Sequence, residues 1–148
     1  MSSDRAATNI GLVINVAVSP RPPFFSSERQ AKAEESLTLW REYNVRAKLT
    51  GGLMVSEEHI VLILEGKRSS IDNYHRHAKD DGWYDSVQVV NESRCLKRRF
   101  ATFPLAYVGP SRWLELALAE RPLGEMLSRS PSDAEFLIDV MLSFVGGS

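Results

Sequence analysis

Five consecutive apolar residues, Ile60-Val61-Leu62-Ile63-Leu64, constrain this chain more than any other stretch. A strand with no polar residue at either parity must be covered on both faces. Leu49–Val55 precedes it as a second apolar strand, and Ser56, Glu57, Glu58 and His59 form the polar turn between them. A buried hairpin of this kind implies a central sheet with helices on each side. Gly51 and Gly52 are costly inside a strand and mark a bulge or a close approach by another element.

The remaining segments fall into those layers. Ile10–Val18 is a β-branched first strand whose only polar residue is Asn15, and Ser19-Pro20-Arg21-Pro22-Pro23 ends it. Ser27 with Gln30 makes a capping-box start for a helix running to about Tyr43. Its apolar stripe, Ala33, Leu37 and Trp40, ends in Asn44, an amide that either caps the helix or points into a pocket. Lys67-Arg68-Ser69-Ser70 opens a second helix with Ile71, Tyr74, His75 and Ala78 on its inner face, ended by Asp80-Asp81-Gly82.

Val87–Asn91 reads as a fourth strand and Phe100–Val108 as a fifth, with Pro104 suggesting a sheet edge or bulge. Ser111–Ala119 reads as a short helix. Ser132 with Glu135 starts a last helix to Val145, apolar almost all round. The order βαββαββ followed by helices predicts an α+β, ferredoxin-like sheet, with two helices on one face and the C-terminal helices on the other. A single domain is expected, with a core over about residues 8–109 and a helical cap over 110–148. The last helix must be buried on the sheet or in a contact with another copy. Together with the aromatic pair Phe24-Phe25 it predicts a homo-oligomer.

Composition narrows the function. The net charge of −1 gives no global field toward nucleic acid or membrane, and one cysteine, Cys95, excludes a disulfide framework or a Cys-cluster metal site. The N-terminal residues have no apolar h-region and no run reaches membrane-spanning length, so a cytoplasmic protein is expected. Phosphate-loop, zinc-protease and nucleophile-elbow motifs are absent. His75 has no partner at metal-ligand spacing and reads as a core-edge histidine. Lys97-Arg98-Arg99-Phe100 reads as a solvated basic loop, because the central strand lacks the aromatics of an RNA-binding sheet.

The segments Asn44-Val45-Arg46-Ala47-Lys48-Leu49-Thr50-Gly51-Gly52-Leu53, Leu64-Glu65-Gly66 and Arg98-Arg99-Phe100 resemble the BLUF domains, which are flavin-binding blue-light sensors. Their mutual spacing agrees with that family, and the terminal Phe136–Phe144 segment is similar to the cap helices of short stand-alone members. The resemblance implies FAD or FMN held between the two helices that flank the central hairpin, with Asn44 hydrogen-bonding the ring. Ala17, Leu62, Ile71, Tyr74, His75, Phe103 and Leu105 would complete the lining.

The resemblance also exposes departures. The family's photoactive tyrosine, two residues before a strand-end serine, falls at Ala17, with Ser19 as that serine. Its glutamine, two residues before the Leu-Glu-Gly motif, falls at Leu62. Phe103 and Leu105 stand where a tryptophan or methionine is usual, and the histidine after the second helix falls at Trp83 or Tyr84. Alanine offers no donor phenol, and leucine neither donates nor accepts a hydrogen bond. The expectation is a signalling or protein-interaction module with weak or lost flavin binding, no photochemistry, no enzymatic activity, and a separate protein partner. The alternatives are a working flavin photoreceptor and a small enzyme such as an acyl-phosphate hydrolase. The enzyme would need Arg21 in an anion-binding loop, from which Pro20, Pro22 and Pro23 remove backbone donors.

Overall fold

The computed structural model describes residues 12–20, 27–80, 87–121, 123 and 130–145. The elements are β1 (Leu12–Pro20), α1 (Ser27–Ala47), β2 (Thr50–Val55), β3 (His59–Lys67), α2 (Arg68–Asp80), β4 (Gln88–Arg94), β5 (Ala106–Val108), α3 (Arg112–Leu118) and α4 (Pro131–Phe144). The sheet order is β4-β1-β3-β2-β5. β1–β3, β1–β4 and β2–β3 pair antiparallel, and β5 adds parallel to β2. This is the expected α+β arrangement.

Strand parity divides the core in two. Val13, Ile60, Leu62 and Leu64 turn toward α1 and α2, where they join Leu37, Trp40, Ile71, Tyr74 and Ala78. Ile14, Val16, Val18, Val61 and Ile63 turn to the other face and pack with Leu114, Leu137, Ile138 and Met141 of α3 and α4. The apolar run of β3 is covered on both sides, as its composition requires. Gly52 permits the close approach of α4, since a Cβ there would lie 2.2 Å from the Met141 sulfur.

Several boundaries differ from the sequence expectation. α1 runs four residues past Tyr43, to Ala47. It is closed by backbone alone: Leu49 N donates to Asn44 O at 2.8 Å and Lys48 N to Val45 O at 3.3 Å, with Lys48 at φ 58°. This is a Schellman closure with lysine in the position that usually takes glycine. β1 runs on past Val18 to Pro20, with Ile10 and Gly11 outside the described residues, and β4 extends to Arg94.

The fifth strand shrinks from nine expected residues to Ala106–Val108. Upstream of it, Phe103 N donates back to Phe100 O at 2.9 Å, which makes a turn instead of a ladder. Ser130, not Ser132, caps α4: its side chain accepts from Ser132 N, and Pro131 takes the first helical position. That helix is buried on its own sheet through Ala134, Leu137, Ile138, Val140 and Met141. It therefore gives no support to self-association, and Phe24-Phe25 lie outside the described residues. No described helix is long and apolar enough to cross a membrane.

Candidate functional site

The space between α1 and α2 lies over the middle of β1 and β3. Its floor is the cross-strand pair Ala17–Leu62, each residue 1% exposed. Directly opposed residues of an antiparallel pair present their side chains on the same face, so both lie beneath the helices. Ile71 and Tyr74 of α2 and Leu105 join Leu62 in the same apolar cluster. Phe103 does not: it packs against the opposite cluster, beneath α3 and α4, because the Phe100–Phe103 turn sends it through the sheet edge.

The helices touch each other through aromatic rings. Trp40 and Tyr74 have ring centroids 4.4 Å apart, and Tyr43 packs edge-on to both, at 5.6 Å and 6.2 Å. Pairs of this kind contribute about 0.5–1.5 kcal/mol each beyond area burial. Sequence reading placed Trp40 on the inner stripe of α1 but gave no sign that it meets Tyr74 directly.

Asn44 is fully buried. Its Nδ2 donates to Pro104 O at 2.7 Å, so the side chain serves the loop before β5 and not the helix end. Its Oδ1 is buried without a hydrogen-bond partner among the described residues. Arg41 Nε donates to Leu105 O at 2.8 Å, and Gly51 N to Phe103 O at 3.0 Å. Three consecutive carbonyls, of Phe103, Pro104 and Leu105, are thereby tied to β2 and α1.

The His75 ring is engaged with Asn15 of β1. Its Nε2 lies 3.1 Å from Asn15 Oδ1, while Asn15 Nδ2 donates to Glu92 Oε1 at 3.3 Å. Glu92 also pairs with Arg68 at 3.0 Å. A carboxylate accepts only, so it fixes the Asn15 amide with Oδ1 toward the imidazole. The histidine proton therefore sits on Nε2, and Nδ1 is a bare acceptor, buried without a partner among the described residues. Burial pulls the His75 pKa down, against the smaller opposing effects of Asp72 and Glu92.

The basic run Lys97-Arg98-Arg99-Phe100 is an anchor and not a solvated loop. Arg98 Nη1 donates to Thr50 Oγ1 and Glu65 O, both at 3.0 Å, and Nη2 to Lys48 O at 2.9 Å. The guanidinium of Arg99 bonds Glu135 and Asp139 of α4 at 3.0 and 3.1 Å. Phe100 is fully buried. Beneath them Glu65 is a completely buried carboxylate, accepting from Thr50 Oγ1 at 2.8 Å and from the backbone N–H of Arg99 and of Phe100. The signal was present in the sequence: one carboxylate directly after five apolar residues has to find internal donors.

A flavin edge needs hydrogen-bond partners beside the ring. The middle of this space offers the methyl groups of Ala17 and Leu62, and Trp40 of α1 meets Tyr74 of α2 at a tilt of 41°. Among the described residues Asn44 Oδ1 and His75 Nδ1 are buried without a partner, and His75 Nε2 is already engaged with Asn15. These residues do not fit a flavin held by the hydrogen bonds that the resemblance implies. Among the described residues no group of three or more His, Cys, Asp or Glu could hold a metal ion.

Comparison with known proteins places this geometry in a family. The fold matches BlrB, a BLUF protein in its dark state, with a TM-score of 0.70 and 23% identity over 90% of this chain and 97% of that one. It matches the photo-activated state of BlsA with a TM-score of 0.73 and 15% identity, over 88% and 94% of the two chains. The Klebsiella pneumoniae BlrP1 manganese and cyclic-diGMP complex matches with a TM-score of 0.60 and 19% identity, over 92% of this chain and 33% of that one. A search of curated proteins finds no match. The family model described as "BLUF: Sensors of blue-light using FAD" matches residues 23–106, more than half of the sequence, and the chain belongs to the BLUF family.

Proposed function

We propose that this chain is a BLUF-family signalling module that has lost the light-driven chemistry and acts through contacts with a separate protein partner. The observation that carries this reading is the Ala17–Leu62 pair. The family's phenol and amide positions stand opposite one another in the β1–β3 register, and neither side chain can transfer an electron or rearrange a hydrogen bond. The Trp40–Tyr74 contact supports it, because it ties the two helices directly to each other, ring centroids 4.4 Å apart.

A working photoreceptor would need another electron donor hydrogen-bonded to the ring. Tyr74 is buried in the same cluster as Leu62, but it packs against Trp40 and has no amide for a relay at position 62. The test is reconstitution: purified protein is mixed with FAD and FMN, separated from free flavin, and its bound flavin measured by absorbance. The reading expects substoichiometric flavin and no light-induced spectral shift. Stoichiometric flavin with a reversible shift under blue light would overturn it.

A further inference from the structure

The strands of this sheet end in opposite charge. At one end His59 pairs with Pro20, and the β2–β3 turn exposes Glu57 and Glu58. Glu57 N donates to Glu115 Oε2 at 3.2 Å, so α3 brings a third carboxylate to the same place. The three glutamates line a cleft of about 450 Å3 together with Ser56, His59 and the apolar Leu118, Ala119 and Leu123. At the other end Leu12 pairs with Lys67 and Val13 with Arg94, and the loop after β4 carries Lys97.

That loop also carries Leu96, 83% exposed, more than any other large apolar side chain described. It is not slack chain. Cys95, buried, donates its N–H to Leu12 O at 2.9 Å on one side of Leu96, and Arg98 is tied by three hydrogen bonds on the other. Two anchored residues hold Leu96 and Lys97 out as a fixed tip, which lowers the entropy lost when the tip is bound.

The nine residues of β1 separate the two ends by roughly 30 Å. That is several Debye lengths at physiological salt, so the charges of one copy do not neutralise each other. A second copy supplies what each end lacks: an apolar side chain flanked by Arg94 and Lys97 for a cleft lined by both apolar residues and glutamates. The net charge of −1 leaves little overall repulsion between copies.

We propose that the chain associates head to tail, the Leu96–Lys97 tip of one copy seated in the cleft of Glu57, Glu58 and Glu115 of the next. The contact is heterologous, so it extends instead of closing as a two-fold dimer. It is independent of whether flavin is bound, and its failure leaves the reading of the space between the helices untouched.

Sedimentation velocity of the full chain, from micromolar to near-millimolar protein at low and high salt, tests it. Mass should rise with concentration beyond that of a dimer, and the association should weaken about tenfold or more as salt is raised. Glu57→Lys with Glu58→Lys should abolish it, as should Arg94→Glu with Lys97→Glu, and Leu96→Ser should weaken it without changing charge. All these positions are exposed, so folding is preserved, and circular dichroism checks it. Mixing the two charge-reversed proteins should restore association, as should combining all four reversals in one chain. A parent that stays monomeric throughout, association that survives either reversal, or a mixture that stays monomeric would each overturn the proposal.

Discussion

Ala17 and Leu62 face each other across the β1–β3 ladder, both almost completely buried beneath α1 and α2. In an antiparallel pair such residues have Cβ atoms about 4.5–5.5 Å apart. Tyrosine and glutamine at these two positions would therefore be immediate neighbours. We expect Ala17→Tyr with Leu62→Gln to raise flavin affinity over the parent and to give a small reversible red shift under blue light. Either change alone should do neither. Tyrosine in this packed interior should cost about 1–3 kcal/mol, read from urea unfolding. A folded double variant with no gain in flavin affinity, by fluorescence titration, would show that the space has been repurposed.

Glu65 holds the segment before β5 in place. Glu65→Ala leaves Thr50 Oγ1 and the N–H groups of Arg99 and Phe100 without their acceptor in a closed interior. The expected cost is about 3–5 kcal/mol in urea unfolding. Glu65→Gln keeps one acceptor and should cost about half as much. Equal stability of the alanine variant and the parent would contradict the assigned role.

His75 predicts a pH dependence. Its pKa is lower in the folded chain than in the unfolded chain, first because burial disfavours the imidazolium. The unfolded state therefore binds more protons below about pH 6.5, and stability falls as pH drops through that range toward the folded pKa. Above it this contribution is constant. His75→Gln should flatten the difference between thermal midpoints at pH 7 and pH 5.5. An unchanged slope would show that His75 does not titrate there.

Lys48 closes α1 with a left-handed backbone at φ 58°. Lys48→Gly should stabilise the protein by about 0.5–1 kcal/mol, since glycine takes that conformation without steric cost. The Lys48 carbonyl would still accept from Arg98. A thermal midpoint lower than the parent's would contradict this account of the helix end.

Much of the layering was legible in the chain. The unbroken apolar parity of Ile60–Leu64 required two covered faces, and the spacing of Leu37, Trp40 and Asn44 set the inner face of α1. Strand parity and the resemblance turned both Ala17 and Leu62 toward the helices, but their direct opposition is visible only in the β1–β3 register. Three things were not legible. The length of β5 depends on a long-range event, because the Glu65 carboxylate captures N–H groups that a ladder would have used. Phe103 and Leu105 share a parity on a continuous strand, yet the turn sends them to opposite faces. The Trp40–Tyr74 contact joins residues of different helices, and no local pattern in the chain encodes it.

The most direct measurement is the absorbance spectrum of the purified protein, after incubation with excess FAD and removal of the free cofactor, before and after blue light. The Ala17–Leu62 pair and the direct Trp40–Tyr74 contact predict little flavin absorbance and no change on illumination. One flavin per chain, with a red shift that decays in the dark, would contradict it.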